Sequence, residues 1–293
     1  MQVHYSADQL PELPSPVVTM GSFDGVHAGH RVIIRRLRQL AKEAGGCSVL
    51  LTFSPHPRKV LYPDTKGKNL NLISSLEEKI QLLEETGLDH LIVMEFTLEF
   101  SRTSSEQFVR DFLVGCLHAH TIVVGFNHYF GHNKEGSYDS LYRVGEEYGF
   151  RVEEIPEQEI QNETVSSTKI RRALEEGHIQ RANAYLEHFF LMQAELRREV
   201  SDSKQDHDCL AVELRNPDKL LPPTGMYAIS CLAGEVYGKA LVRIEGAGIL
   251  LYTLKGEPVP GEGPGHLFFH KHLDETLIRD VASAQKAVEE LIY

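Results

Sequence analysis

Between Val17 and about Pro156, short apolar runs rich in Val, Ile and Leu alternate with longer segments of helical period. The runs VVTM from Val17, SVLLTF from Ser48, HLIVMEF from His90, TIVVGF from Thr121 and RVEEIP from Arg151 read as strands, because each is short, β-branched and bounded by turn-forming residues. Strands alternating with helices in this way predict an α/β, Rossmann-like domain, a parallel sheet covered by helices. The first helix is expected from about His30, with Val32, Ile33, Leu37, Leu40 and Ala41 on one face, and it stops at Gly45-Gly46. Ser75 followed by Glu78 has the spacing of a capping box, with Gly87 closing the helix, and Ser104 with Gln107 repeats the signature. After the fifth strand, SSTKIRRALEEG reads as a helix that opens at Ser167 and ends near Gly177.

Beyond roughly Glu187 the rhythm changes. Strand-like runs at GMYAISCL, EVYGKALVRI and AGILLYTL are separated by Gly and Pro, and a final helix is expected from about Leu273. That spacing predicts a small antiparallel β-barrel domain with a C-terminal helix. The polar stretch Ser201–Asp208 reads as a loop. Two domains follow, 1–186 and 187–293, which a chain of 293 residues can accommodate with a core in each.

Charge and cysteine content narrow the function classes. The formal charge of -12 argues against a general nucleic-acid binder, which needs a dense excess of Lys and Arg, so any phosphate ligand must meet a local site. Cys47, Cys116, Cys209 and Cys231 are far apart, without a CxxC pair or a suitably spaced His, as expected in a reducing cytoplasm. The first residues lack a basic start followed by an apolar core, and no run is long and apolar enough to span a bilayer. A cytoplasmic protein with small-molecule partners, without nucleic acid or membrane, is therefore expected; the oligomeric state is left open.

Four clusters carry chemistry. The first strand ends in GSFDGVHAGH, where Gly21, Gly25 and Gly29 interrupt the turn and His27 and His30 stand three residues apart. Glycines let the backbone approach a phosphate chain, and a helix N-terminus offers N–H groups to it. Imidazoles at i and i+3 can donate to charge building on a phosphoryl oxygen. The alternative is a glycine-rich turn with two surface histidines. In TVSSTKIRR, the hydroxyls of Ser166, Ser167 and Thr168 precede a helix bearing Lys169 and Arg171, a phosphate-binding combination that simple N-capping by Ser167 would also explain. Pro55-His56-Pro57 is stiff and can wall a slot for an aromatic ring without an ordering cost. In GFNHYFGHNKEG, Asn127 lies just past a strand's carboxyl end. All four clusters follow strands, and ligands of open α/β sheets bind beyond those carboxyl ends.

The segments GSFDGVHAGH, TFSPHP, GFNHYFG and VSSTKIR, in this order, resemble the FAD synthetase module of the prokaryotic bifunctional riboflavin kinase/FMN adenylyltransferases. The resemblance spans roughly Val17 to Leu186 and includes LISSLEEKIQLLEETGLDHLIVMEF. The H-x-G-H element alone marks only the wider nucleotidyltransferase superfamily; PHP with SSTxIR narrows it to the flavin branch. The resemblance implies transfer of AMP from ATP to FMN, giving FAD and pyrophosphate. It assigns His27, His30 and Asn127 to catalysis and Gly21, Phe23, Gly29, Ser166, Ser167, Thr168 and Arg171 to ATP. It places Pro55, His56 and Pro57 along the flavin. It also implies Mg2+, held mostly by substrate oxygens and water, with its protein ligands unassigned. His128 stands where the family usually has Phe, and Lys134 where it has Arg.

The last third resembles the family's flavokinase barrel at LLPPTGMYAIS. The Gly-rich loop and Pro-Thr-Ala-Asn element expected between about Arg198 and Leu214 are replaced by REVSDSKQDHDCLAVEL. The run GILLYTL offers no carboxylate for the expected catalytic Glu; Glu245 stands nearby. A degenerate kinase domain is therefore expected; a separate riboflavin kinase is a possible partner, and whether FMN arrives free or is handed over by it is left open. Two other readings stand beside it: a fully bifunctional enzyme, and a non-catalytic flavin or nucleotide sensor.

Overall fold

The computed structural model describes residues 1–293 apart from 7–9, 69, 127, 158, 161–162, 199–208, 247, 255 and 274–293. It divides into two compact units, Met1–Leu70 with Lys79–Thr164, and Asn71–Glu78 with Val165–Tyr293.

In chain order the elements are β1 (Gln2–His4), β2 (Val17–Met20), α1 (Ala28–Glu43), β3 (Ser48–Ser54), α2 (Pro57–Leu61), α3 (Leu76–Glu84) and β4 (His90–Glu95). They continue with α4 (Ser105–Phe108), which runs on as a π-helical turn, β5 (Thr121–Gly125), α5 (Tyr138–Tyr148), β6 (Arg151–Ile155), and the two-residue strands β7 (Glu159–Ile160) and β8 (Glu163–Thr164). The second part comprises α6 (Ser167–Glu175), α7 (Ile179–Leu186), β9 (Phe190–Arg198), β10 (Cys209–Leu214), β11 (Gly225–Ala233), β12 (Val236–Glu245), β13 (Gly248–Thr253) and β14 (Gly263–Leu273).

The first unit holds a six-stranded sheet in the order β1-β4-β3-β2-β5-β6, parallel throughout. Val17, Val18, Val49, Leu50, Leu51, Leu91, Ile92, Ile122 and Val123 are fully buried. Helices on both faces explain why these strands read as continuous apolar runs rather than alternating ones. From β2 the chain steps outward through β3 and β4, then returns to lay β5 on the other side of β2. The direction of winding therefore reverses between β2 and β5, and the crevice beyond their carboxyl ends is where such sheets bind ligands. β1 was not foreseen; three residues, QVH, are too few to show a period.

In α1, Ala28, Ile34, Leu37 and Ala41 are buried, and the helix starts two residues before the His30 expected from the sequence. Gly45 follows its end with φ +60°, as a glycine past a helix terminus should. The Ser75 capping box is present: its N–H donates to Glu78 Oε2 at 2.9 Å and its hydroxyl accepts from Glu78 N–H at 3.1 Å.

The second unit contains a closed antiparallel barrel in the order β10-β13-β12-β11-β14-β9. Phe190, Tyr227 and Phe269 are fully buried in it, and all six strands follow Leu186. Leu273, expected to open a helix, ends β14, and the remainder of that segment lies outside the described residues, as does the loop 201–208.

Candidate active site

The turn from β2 into α1 holds an unusual backbone. Phe23 and Val26 have φ of +46° and +41°, a left-handed conformation uncommon for any side chain and an outlier for β-branched Val. Such residues cost of order 1–3 kcal/mol each and persist only where the surroundings over-determine them, often at functional sites. Both are buried, so packing holds them there.

The effect of the turn is to set two imidazoles face to face. The rings of His27 and His30 stack at 3.6 Å between centroids and 14° between planes, and Phe23 backs His30 at 4.6 Å. His27 is the N-cap of α1, its Nδ1 accepting from His30 N–H at 3.4 Å. An accepting Nδ1 fixes the neutral tautomer with the proton on Nε2. His30 Nδ1 is buried and has no hydrogen-bond partner. Burial, then His27, then the Lys79 ammonium hold His30 well below the usual imidazole range. At neutral pH the pair therefore offers N–H donors rather than two cations.

Beyond β3 the structure places Pro55, His56 and Pro57 on the same carboxyl edge of the sheet. The Ser54–Pro55 bond is cis, His56 caps α2 by accepting Arg58 N–H at 3.2 Å, and Pro57 is the first helical residue. Phe53, the penultimate residue of β3, and Phe96 and Phe100, beyond β4, form an aromatic triangle at 5.5 to 5.8 Å. Leu61, Tyr62, Leu98 and Phe126, on the segments that follow β3, β4 and β5, each expose two fifths or more of their surface.

Ser166, Ser167, Thr168 and Arg171 lie together at the start of α6, in the second unit. Ser166, not Ser167, is the N-cap: its hydroxyl accepts Lys169 N–H at 3.3 Å, and Ser167 is the first helical residue. Arg171 Nε donates to the Asn71 carbonyl at 3.1 Å. Asn127 lies outside the described residues; its neighbour His128 is stacked on Phe130 at 6.0 Å. Burial pushes His128 down to about 4, and its Nε2 has no partner.

Sequence reasoning missed Lys79 and Thr52. Lys79 Nζ donates to Thr52 Oγ1 at 3.3 Å, and that hydroxyl donates to the Ser22 carbonyl at 3.3 Å, inside the histidine-bearing turn. The available signal was a cation at i relative to apolar Leu82 and Leu83 at i+3 and i+4, which puts it on the buried helix face. Two hollows lie elsewhere: one of about 740 Å³ borders Arg181 and His272, another of about 400 Å³ borders Phe130 and Tyr148, and neither includes the histidine turn.

The FAD synthetase family model matches residues 10–169, more than half of the chain and the whole of the parallel sheet except β1. The chain belongs to the FAD synthetase family. Among relatives of this FAD synthetase, the bifunctional riboflavin kinase/FMN adenylyltransferase of Listeria monocytogenes is 32% identical over 213 residues, 73% of this chain and 67% of that protein. The protein of the same description from Bacillus subtilis is 33% identical over 230 residues, covering 77% and 71%. That from Pseudomonas fluorescens is 30% identical over 261 residues, covering 89% and 79%, which extends the likeness into the barrel. A crystal structure described as a macrolide-efflux protein from Streptococcus pneumoniae matches with TM-score 0.83 over 99% of this FAD synthetase and 96% of that chain. At 19% identity that likeness speaks for the fold alone. No helix among the described residues is long and apolar enough to cross a membrane.

Proposed function

We propose that this FAD synthetase transfers the AMP part of ATP to FMN, releasing pyrophosphate, and that residues 1–186 form the adenylyltransferase module. The observation that carries the reading is the stacked His27–His30 pair at the start of α1, beyond β2 where the sheet reverses its winding. An FMN phosphate oxygen attacks the α-phosphorus of ATP, the new O–P bond forms as the bond to the β-phosphate oxygen breaks, and the electron pair leaves with pyrophosphate. A phosphate monoester is already largely deprotonated at neutral pH, so no general base is needed. The reaction instead needs positioning and donors toward the charge on the phosphoryl oxygens. His27 and His30 supply such donors; Asn127, outside the described residues, is assigned to catalysis by the family resemblance alone.

In this reading Gly21, Phe23 and Gly29 around the turn serve ATP binding, and the start of α6 in the second unit, with Ser166, Ser167, Thr168 and Arg171, offers hydroxyls and a guanidinium to a phosphate chain. The Nε bond to Asn71 fixes the plane of the Arg171 fork, which suits bidentate contact. Pro55, His56 and Pro57 line the flavin, and the exposed apolar side chains past β3, β4 and β5 supply surface for a fused ring system to cover. Magnesium in this reading arrives on ATP as part of the substrate, held mostly by phosphate oxygens and water. Bound there, it would neutralise phosphate charge.

The relatives' description also names riboflavin kinase, and the barrel over residues 187–293 is the domain in which that activity would reside. We propose that this barrel is degenerate as a kinase. Glu245 stands at the tip of the β12–β13 hairpin, exposed and paired with Arg243 at 3.0 Å, which is no setting for a catalytic base. The test is pyrophosphate release with ATP and FMN compared with riboflavin. Release with FMN alone supports the reading, prompt FMN production from riboflavin restores the kinase, and no product from either leaves a sensor.

A further inference from the structure

Lys79 is 6% exposed, a position that lysine rarely occupies without a charged partner. It sits on α3 with no role in the chemistry described above. Its Nζ donates to Thr52 Oγ1 on β3, and Thr52 passes the contact to the carbonyl of Ser22, each step 3.3 Å. Ser22 lies between Gly21 and Phe23, at the head of the strained turn. The ammonium is attracted by Asp24, itself 2% exposed in the same turn, and it repels a proton on His30.

We propose that Lys79 is a positioning residue for adenylyl transfer, fastening the Ser22–Val26 turn through Thr52 and keeping the His30 imidazole a neutral donor. This rests on the adenylyltransferase reading and deepens it. A buried ammonium is a poor device for stability alone, since an apolar side chain of similar volume usually does as well or better. Its presence under a strained turn beside the stacked histidines is explained by what it does to them. The groups facing it are Asp24 from the turn, His30 from α1 and, beyond His30, the ring of His27. Burial pushes Lys79 down to about 8, against the pull of Asp24. The ammonium is therefore lost within reach of a neutral assay, which gives the role a titration signature.

The test is the pH profile of kcat/KM for FAD formation in the wild type, Lys79→Met, Lys79→Arg and Thr52→Val, with melting temperatures beside it. The wild type should show an alkaline limb near pH 8 that Lys79→Arg moves out of range while keeping turnover, because guanidinium does not titrate there. Lys79→Met should lower kcat about tenfold, leave KM for FMN within about twofold, lose the alkaline limb and shift the acidic limb upward as the repulsion on His30 disappears. Thr52→Val, which keeps the charge and removes the relay, should lower kcat but preserve the limb. Lys79→Met with wild-type kcat and profile overturns the proposal, as does a wild-type profile flat from about pH 7 to 9.5. If Lys79→Met does not fold, Thr52→Val and Lys79→Arg decide by the same criteria. A wild type that makes no FAD from FMN and ATP sinks the adenylyltransferase reading itself, whereas FAD formation insensitive to Lys79 sinks only this assignment.

Discussion

His27 holds the start of α1 and His30 at once: its Nδ1 accepts the backbone N–H of His30 while its ring lies flat against the ring of His30, 3.6 Å away. One side chain thus fixes its own tautomer and its neighbour's orientation. His30→Ala leaves the cap intact and removes one donor, so kcat should fall by about 10²–10³ with KM for FMN little changed. His27→Ala also strips the N-cap and should in addition lose about 1 kcal/mol of stability. Steady-state kinetics with thermal melts separate the two; equal melting temperatures for both variants would count against the capping role.

Gly29 offers a second test of what the turn is for. A Cβ there would meet His27 only at ordinary contact distance, 3.4 Å, and the residue lies in the first turn of a helix where Ala is the better former. Gly29→Ala should therefore fold with unchanged or slightly higher melting temperature, yet raise KM for ATP several-fold by obstructing the approach of phosphate to the helix start. Loss of stability without a change in KM would reverse the assignment.

Acid should destabilise the fold. His30, His90 and His128 are all held below the ordinary imidazole range, in each case chiefly by burial. The unfolded chain protonates these groups near 6.5, the folded chain only lower, at about 4 for His128. Stability that is complete above pH 6.5 is therefore lost as pH falls toward 4, by at most roughly 1.4 kcal/mol per pH unit for each of the deeply buried His30 and His128, and by less for the more exposed His90, where solvent screens the effect. His128→Phe should shrink the difference between melting temperatures at pH 8 and pH 5; an unchanged difference contradicts the assignment.

In the second unit, Lys219 Nζ donates to Glu78 at 2.6 Å and to the carbonyls of Ile73 and Leu191, with both charged side chains 2% exposed. Removing one member strands the other in a dry interior. Lys219→Met should cost about 3–5 kcal/mol in denaturant unfolding. A loss below about 1 kcal/mol would mean that water reaches the pair.

Of the six strands of the parallel sheet, β2, β3, β4 and β5 were legible because burial writes them as apolar runs, the exposed edge strand β6 (RVEEI) only because it follows a helical segment, and the Ser75–Glu78 cap because its residue types allow few other arrangements. In the barrel the runs of β11, β12 and β13 were legible. β9, whose FLMQAELRR mixes charge into a buried strand, and β14, which opens on Gly-Pro-Gly and carries three histidines, were not. Of the site, the histidine spacing predicted a pair but not its stacking, which follows from the positive φ of Phe23 and Val26. Lys79 was invisible as a site residue because its partners, Thr52 and Asp24, come from distant stretches of chain.

The histidine turn is proposed to direct AMP from ATP to FMN without a covalent enzyme intermediate. Single turnover with ATP labelled at the α-phosphorus measures it directly. Label should enter FAD in step with pyrophosphate release, with none on the protein, and a folded His30→Ala variant should be slower by at least about a hundredfold. Unlabelled flavin, or label transferred at full rate by His30→Ala, would contradict it.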